Sequence, residues 1–222
     1  MLPFLCGGCS SHLGGDTISE GVIEYMMSFP DYDPDGLMAG MLPEKTILSF
    51  NEDQQAVDLS AGMGVFRTSM VVNTPQKTMD YHMSVMGKRM VAELHPKDLD
   101  LFNKGSQAMT ILFTQETDTI AGLPCKKALA IYNTVDRPEV ELWYTDRIAM
   151  NEPNWYTPFS EIPGVLLRYE VVQYGIRMRM DAVSVTPGTV AADRFQVKAD
   201  HDRVAPEVLD HELAQVLGTF TN

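Results

Sequence analysis

The sequence predicts a mainly β protein whose strands run as an antiparallel meander and curl into a half-barrel, with a few short helices and a C-terminal helix. Three observations predict it. Apolar and polar residues alternate with a period of two along most of the chain, as in strands that bury one face. The stretches between the alternating segments are short and rich in Asn, Gly, Pro or Asp, which leaves no room for the crossover helices that parallel pairing needs. The clearest helical period sits at the end of the chain.

Taken in order, Ile23, Tyr25, Met27 and Phe29 fall on one side of the first alternating segment, and Pro30 ends it. Strands are expected next at Thr46 to Phe50, Ala56 to Ala61 and Phe66 to Val72. Met79, Tyr81, Met83 and Val85 then share a face, with Asp80, His82 and Ser84 on the other. Lys88 to Leu94, Met109 to Thr117, Lys126 to Tyr132, Glu139 to Thr145 and Val165 to Tyr174 follow. The last alternation is Ile176, Met178 and Met180 against Arg177, Arg179 and Asp181; the charged set must face water if the apolar set faces a core. This gives about eleven strands.

Pro34 to Leu42 and Pro96 to Asn103 can each form two helical turns, because proline at a helix start removes an amide that would be orphaned anyway. The C-terminal helix is better marked. Pro206 opens it, Glu207, Asp210 and Glu212 suit the positive end of its dipole, Leu209, Leu213, Val216 and Leu217 form a stripe, and Gly218 closes it. No repeat or long linker splits the chain, so residues 19–218 read as one domain.

Lys and Arg number 17 against 30 Asp and Glu, a formal net charge of −13. That balance argues against a nucleic-acid binder, which neutralises phosphates with cations, and against adsorption to anionic lipid. No run reaches the roughly 18 apolar residues of a membrane span, so an integral helical membrane protein is excluded. Residues 1–18 read as a signal or lipoprotein-tether remnant, in which Gly7 and Gly8 precede Cys9 as the lipid-accepting residue; a disordered cytoplasmic start is the alternative. Cys6, Cys9 and His12 lack the fourth ligand of a structural zinc site.

Three further segments carry a resemblance. Ile120-Ala121-Gly122-Leu123-Pro124-Cys125-Lys126-Lys127-Ala128, then Glu141-Leu142-Trp143-Tyr144-Thr145-Asp146, then Ile162-Pro163-Gly164-Val165-Leu166-Leu167 resemble, in order and spacing, the GLPGLI family and its domain-of-unknown-function relatives, envelope proteins of Bacteroidetes. The resemblance spans residues 19–174 and implies a LolA-like half-barrel of the lipoprotein-carrier kind, a lipid-like ligand on the concave face, and a periplasmic or outer-membrane location. It supplies no catalytic residues. Read physically, Pro163-Gly164 is a turn in which proline sets φ and glycine supplies a positive φ. Trp143 falls on the face opposite Val140, Leu142 and Tyr144 and is expected to pack beneath a loop such as Asn154-Trp155-Tyr156.

The chain holds 15 methionines, many on apolar strand faces, and flexible thioethers suit either a filled core or a surface that repacks around an irregular guest. The expected ligand-lining residues are Tyr25, Met27, Tyr81, Met83, Leu142, Tyr144, Met178 and Met180. Asp31, Asp33 and Asp35, followed by Gly36, match the first half of a calcium loop, but Leu42 stands where the bidentate Glu belongs; an acidic helix-capping turn is the alternative. His201 and His211, each between acidic neighbours, read as solvated. With no G-x-S-x-G elbow, P-loop or dinucleotide motif, no cofactor and no catalytic chemistry are implied. The expected function is non-catalytic binding of an apolar or lipid-like ligand in the envelope, with a fully packed protein-interaction module as the alternative.

Overall fold

The computed structural model describes residues 17–33, 35, 39–103, 108–133 and 139–218. Twelve strands form one sheet: β1 (Gly21–Ser28), β2 (Lys45–Phe50), β3 (Gln54–Ala61), β4 (Phe66–Asn73), β5 (Thr78–Val85), β6 (Lys88–Leu94), β7 (Met109–Ile120), β8 (Leu123–Tyr132), β9 (Glu139–Thr145), β10 (Val165–Gln173), β11 (Ile176–Pro187) and β12 (Asp202–Arg203). Among the described residues two α-helices accompany them, α1 (Leu99–Phe102) and α2 (Pro206–Gly218). The spatial order is β12-β6-β5-β4-β3-β2-β1-β11-β10-β9-β8-β7. It consists of two antiparallel meanders, β1 to β6 and β7 to β11, joined where β11 pairs with β1.

This is the open half-barrel that the alternation predicts, and each of the eleven expected strands is present. Only β12 was not anticipated: two residues long and parallel to β6, it is too short to leave a periodic trace. Three of the hairpins turn on a residue pair with both φ positive, Met86-Gly87, Ala121-Gly122 and Tyr174-Gly175. Such turns match the right-handed twist of the strands, and glycine second keeps one of the two strained positions free of a Cβ.

The buried faces are closed in different ways along the sheet. At the β4 to β6 end, Leu209 and Leu213 of α2 and Phe102 of α1 press onto Met79, Tyr81, Met83 and Leu94. At the β8 to β10 end, Phe159 and Ile162 of the β9–β10 connection cover Ala128, Ala130, Leu142, Tyr144 and Leu166. A third cluster gathers Ile23, Tyr25, Phe50, Trp143, Leu167 and Met180 around the junction of the two meanders.

Several expectations are corrected. Gly164 does not adopt a positive φ; it is required because a Cβ there would collide with the carbonyl of Thr145 on β9. Trp143 does not pack beneath the Asn154-Trp155-Tyr156 loop. It lies in the junction cluster, its indole N–H donating to Glu141 at 3.2 Å and Lys127 over its ring, while Trp155 and Tyr156 join the α1/α2 cluster. His201 is not solvated: its side chain is only 5% exposed, because residues 188–203 form a strap that runs from Glu20 past Asp58 on β3 and His82 on β5 to β6. The same strap buries His82.

The expected helix from Pro34 to Leu42 falls partly outside the described residues, and Ala39–Met41 is a single 3-10 turn. Cys6, Cys9 and His12 also lie outside them. The segment Pro96–Asp98 is a 3-10 turn that leads into the short α1.

An apolar cavity on the concave face

Alternation turns one residue in two of each strand inward, and at the middle of the sheet nothing fills the resulting hollow completely. Between the α1/α2 plug and the Phe159 clasp, an apolar cavity of about 150 Å³ remains. Tyr25 on β1, Leu48 on β2, Val57 and Leu59 on β3, Met70 on β4 and Tyr81 on β5 form one wall. Tyr169 and Val171 on β10, with Met178 and Met180 on β11, form the other, and Tyr156 and Pro158 cover it. A second hollow of about 60 Å³ shares Leu59, Thr68, Tyr81, Gln173 and Met178 with the first and extends it toward Phe29, Phe66, Ile176 and Leu217.

Among the described residues, no carboxylate, imidazole, ammonium or guanidinium lines the main cavity. Its phenols stay neutral: burial pushes Tyr81 and Tyr169 up to about 12 and raises Tyr25 well above the usual phenol range. They are also mostly engaged, Tyr25 donating to the Leu166 carbonyl at 2.8 Å and Tyr156 to Gln55 Oε1 at 3.0 Å. The site therefore offers shape and apolar contact, with the Gln173 amide and the Tyr169 hydroxyl among its few polar groups.

The charges sit on the opposite face. As the alternation predicts, Arg177, Arg179 and Asp181 point away from Met178 and Met180. They pair sideways: Arg168 with Asp181 at 2.6 Å, Arg177 with Glu170 at 2.7 Å and Arg179 with Asp181 at 2.8 Å.

Of the eight residues expected to line a ligand site, the structure brings Tyr25, Tyr81, Met178 and Met180 together in the cavity. Met27 is buried in the junction cluster and reaches a shallow rim pocket beside Phe29 and Pro43. Met83 lies fully buried against α2, and Leu142 and Tyr144 lie beneath Phe159. Sequence reasoning missed Val57, Leu59, Tyr156 and Tyr169. The first two could have been found by extending the alternation through β3; Tyr156 lies in irregular chain that carries no such signal.

Asp31 turns to Arg177 at 3.5 Å, and Asp33 accepts the backbone N–H of Asp35 at 3.0 Å. Among the described residues no three His, Cys, Asp or Glu side chains gather in a way that could hold a metal ion. None of the described helices is long and apolar enough to cross a membrane.

The fold and its cavity define an open β half-barrel with an uncharged pocket on its inner face. Among solved structures, the chain is similar to PNGF-II in its C2 and P21 crystal forms, with TM-scores of 0.56 and 0.53 at 16% and 15% identity. These matches cover 88% and 89% of this chain but 32% and 33% of the PNGF-II chains, so the chain spans about a third of their length. MucB in complex with MucA(peri) overlaps more loosely, at a TM-score of 0.36 and 11% identity over 84% of this chain and 57% of that one. No protein-family model matches the chain, and no curated protein matches it in sequence.

Proposed function

We propose that the chain binds one slender apolar ligand, a single acyl chain or an aromatic ring, in the concave-face cavity. The observation that carries this reading is an inward hollow walled by thioethers, aliphatic groups and neutral phenols, with no charge among the described residues that line it. An apolar cavity of roughly 150 Å³ accommodates a guest of about the size of benzene. The adjoining hollow past Met178 and Leu217 extends the room in one direction, which suits a chain better than a bulky multi-chain lipid. The four methionines at its walls, Met70, Met79, Met178 and Met180, can repack around a guest at little cost. The resemblance of the sequence to GLPGLI-type envelope proteins and LolA-like carriers supports the same reading, and a periplasmic or outer-membrane location with Cys9 as a lipid-bearing tether belongs to this proposal.

The test is uptake of N-phenyl-1-naphthylamine, a dye that brightens in apolar surroundings, alongside native mass spectrometry of protein from an envelope fraction. Wild type is expected to brighten the dye and to release a small apolar mass on denaturation. Leu59→Trp, which fills both hollows, is expected to abolish dye uptake with an unchanged circular dichroism spectrum. Equal dye uptake by wild type and Leu59→Trp would sink the proposal.

A second reading, docking of an envelope protein, is favoured by the sheet edge. Among the described residues β7 pairs only with β8, and it exposes Leu112 and Phe113, so an extended segment of a partner could add to it as a further strand. A clean ligand-free mass together with no dye response would favour that reading.

A further inference from the structure

On the convex face, opposite the cavity, the strap brings three residue types together that no sequence motif announces. His201 Nε2 lies 3.0 Å from the Ser84 hydroxyl, and His201 Nδ1 lies 2.9 Å from Asp200 Oδ1. A carboxylate can only accept, so Nδ1 carries the ring hydrogen. In the neutral form of the ring Nε2 is then an acceptor, to which the Ser84 hydroxyl donates. The direction of these bonds is that of a nucleophile, its general base and the residue that orients the base.

The surroundings hold this arrangement in place. The His201 ring stands edge-on to the buried His82 ring at 5.2 Å, and His82 Nε2 accepts the Lys198 backbone N–H at 3.1 Å, which pins the strap above Ser84. Asp200 is fixed in turn by an ion pair with Arg89. On the two neighbouring strands, the residues directly opposite Ser84 are Arg67 and Arg89. Lys88 and Lys198 also line the pocket, an open polar hollow in a chain whose net charge is −13. Arg89 is engaged by Asp200, Lys88 by Glu212 and Lys198 lies 3.9 Å from Asp58, but Arg67 has no carboxylate partner among the described residues.

We propose that Ser84, His201 and Asp200 form a hydrolytic site for small carboxylic esters that bear a negative charge, with Arg67 receiving the developing oxyanion or the substrate's charge. Ser84 Oγ attacks the ester carbonyl carbon while its proton passes to His201 Nε2. The tetrahedral oxyanion collapses, the C–O bond to the alcohol breaks, and His201 returns the proton to the leaving alkoxide oxygen. Water then attacks the acyl-Ser84 ester, giving its proton to His201, which hands it back to Ser84 as the acid departs. The sum is ester plus water to acid plus alcohol, with no oxidant or metal. Asp200 is a positioning residue throughout, and the polar, solvent-open pocket suits a short anionic acyl group rather than the apolar guest of the concave face.

The experiment treats the full chain with a fluorophosphonate probe and, separately, with mono(4-nitrophenyl) succinate and 4-nitrophenyl acetate. Wild type is expected to gain one probe mass, mapped to Ser84, and to hydrolyse the succinate ester faster than the acetate. Ser84→Ala, which removes one oxygen, is expected to lose both, and His201→Gln to slow labelling by roughly 100-fold, the range of a lost general base. Arg67→Gln is expected to erase the preference for the anionic ester. If Ser84→Ala fails to fold, Ser84→Cys serves instead: its thiol is expected to alkylate with iodoacetamide at pH 6 and to stop doing so when His201→Gln is added. A folded wild type that takes up no probe, or a Ser84→Ala protein labelled as well as wild type, overturns the proposal.

Discussion

The Tyr25 hydroxyl on β1 donates to the Leu166 carbonyl on β10, 2.8 Å away, passing over the intervening strand β11. Two features allow it. The residue that pairs with Tyr25 on β11 is Ala182, small enough for the phenol ring to lie across it, and the register of β9 against β10 shifts between Leu166 and Arg168, which distorts the ladder where Leu166 lies. The bond clamps the two meanders at their junction and fixes one wall of the cavity. Tyr25→Phe leaves a buried carbonyl acceptor with one partner fewer, and is expected to cost about 1 to 2 kcal/mol. Urea denaturation at pH 7 measures it; a loss below about 0.5 kcal/mol would mean that the clamp contributes nothing net.

Gly164 is held by space rather than by φ. An added Cβ would run into the carbonyl of Thr145 and crowd the ring of Tyr144, both on the adjacent strand. Asn154 uses its amide to bind the carbonyls of Ile162 and Gly164, at 2.9 and 2.8 Å, so the turn cannot simply move away. Gly164→Ala is therefore expected to lose about 1 to 3 kcal/mol, as overpacked sites do. Gly188→Ala, with open space around it, provides the comparison: its cost comes from its positive φ alone. Thermal melts of both variants separate a steric cost from a conformational one.

The α2 helix closes one end of the half-barrel through two side chains. Leu209 and Leu213 are completely buried against β5 and β6, one helical turn apart, whereas Val208 is 47% exposed. Leu213→Ala is expected to cost about 2 to 5 kcal/mol, the range for truncating a buried leucine that leaves a cavity. Val208→Ala is expected to change the stability by less than about 0.5 kcal/mol. Equal losses at the two positions would contradict the packing described.

The sheet was legible because a strand with one buried face writes that face into every second residue. That is why β6 and β9 fall on their expected bounds and most others within about three residues, whereas β11 runs well past its expected end, to Pro187. Alternation says which face a residue takes, but not what covers it. Met83 and Met180 look alike in sequence; α2 covers the first, while the second borders open space. Residues 188–203 have no period, so the strap and everything it buries were invisible. Ser84 and His201 lie 117 residues apart and meet only because β12 docks beside β6. The acidic neighbours that made His201 look solvated instead supply the carboxylate that orients its ring.

Burial beneath the strap pulls His82 down to about 4 from 6.5, with Lys198 and His201 adding to the effect and the Ser69 carbonyl opposing it. The hydrogen bonds give the reason for its neutral form. The Lys198 N–H can only donate, so Nε2 must accept, and Nδ1 carries the hydrogen toward the Ser69 carbonyl at 3.2 Å. A proton on Nε2 would face that amide. Because the folded value lies below the unfolded one, the unfolded chain binds the proton more tightly between about pH 6.5 and pH 4. Stability from this residue is therefore complete above about 6.5 and falls as the pH drops to about 4, by up to about 3 kcal/mol. Urea midpoints measured across that window are expected to decline in wild type, and less steeply in His82→Gln, which keeps a donor and an acceptor but does not titrate. Amide hydrogen exchange at Lys198 is expected to speed up over the same interval as the strap lifts. Parallel pH profiles for the two proteins would show that the acid sensitivity arises elsewhere.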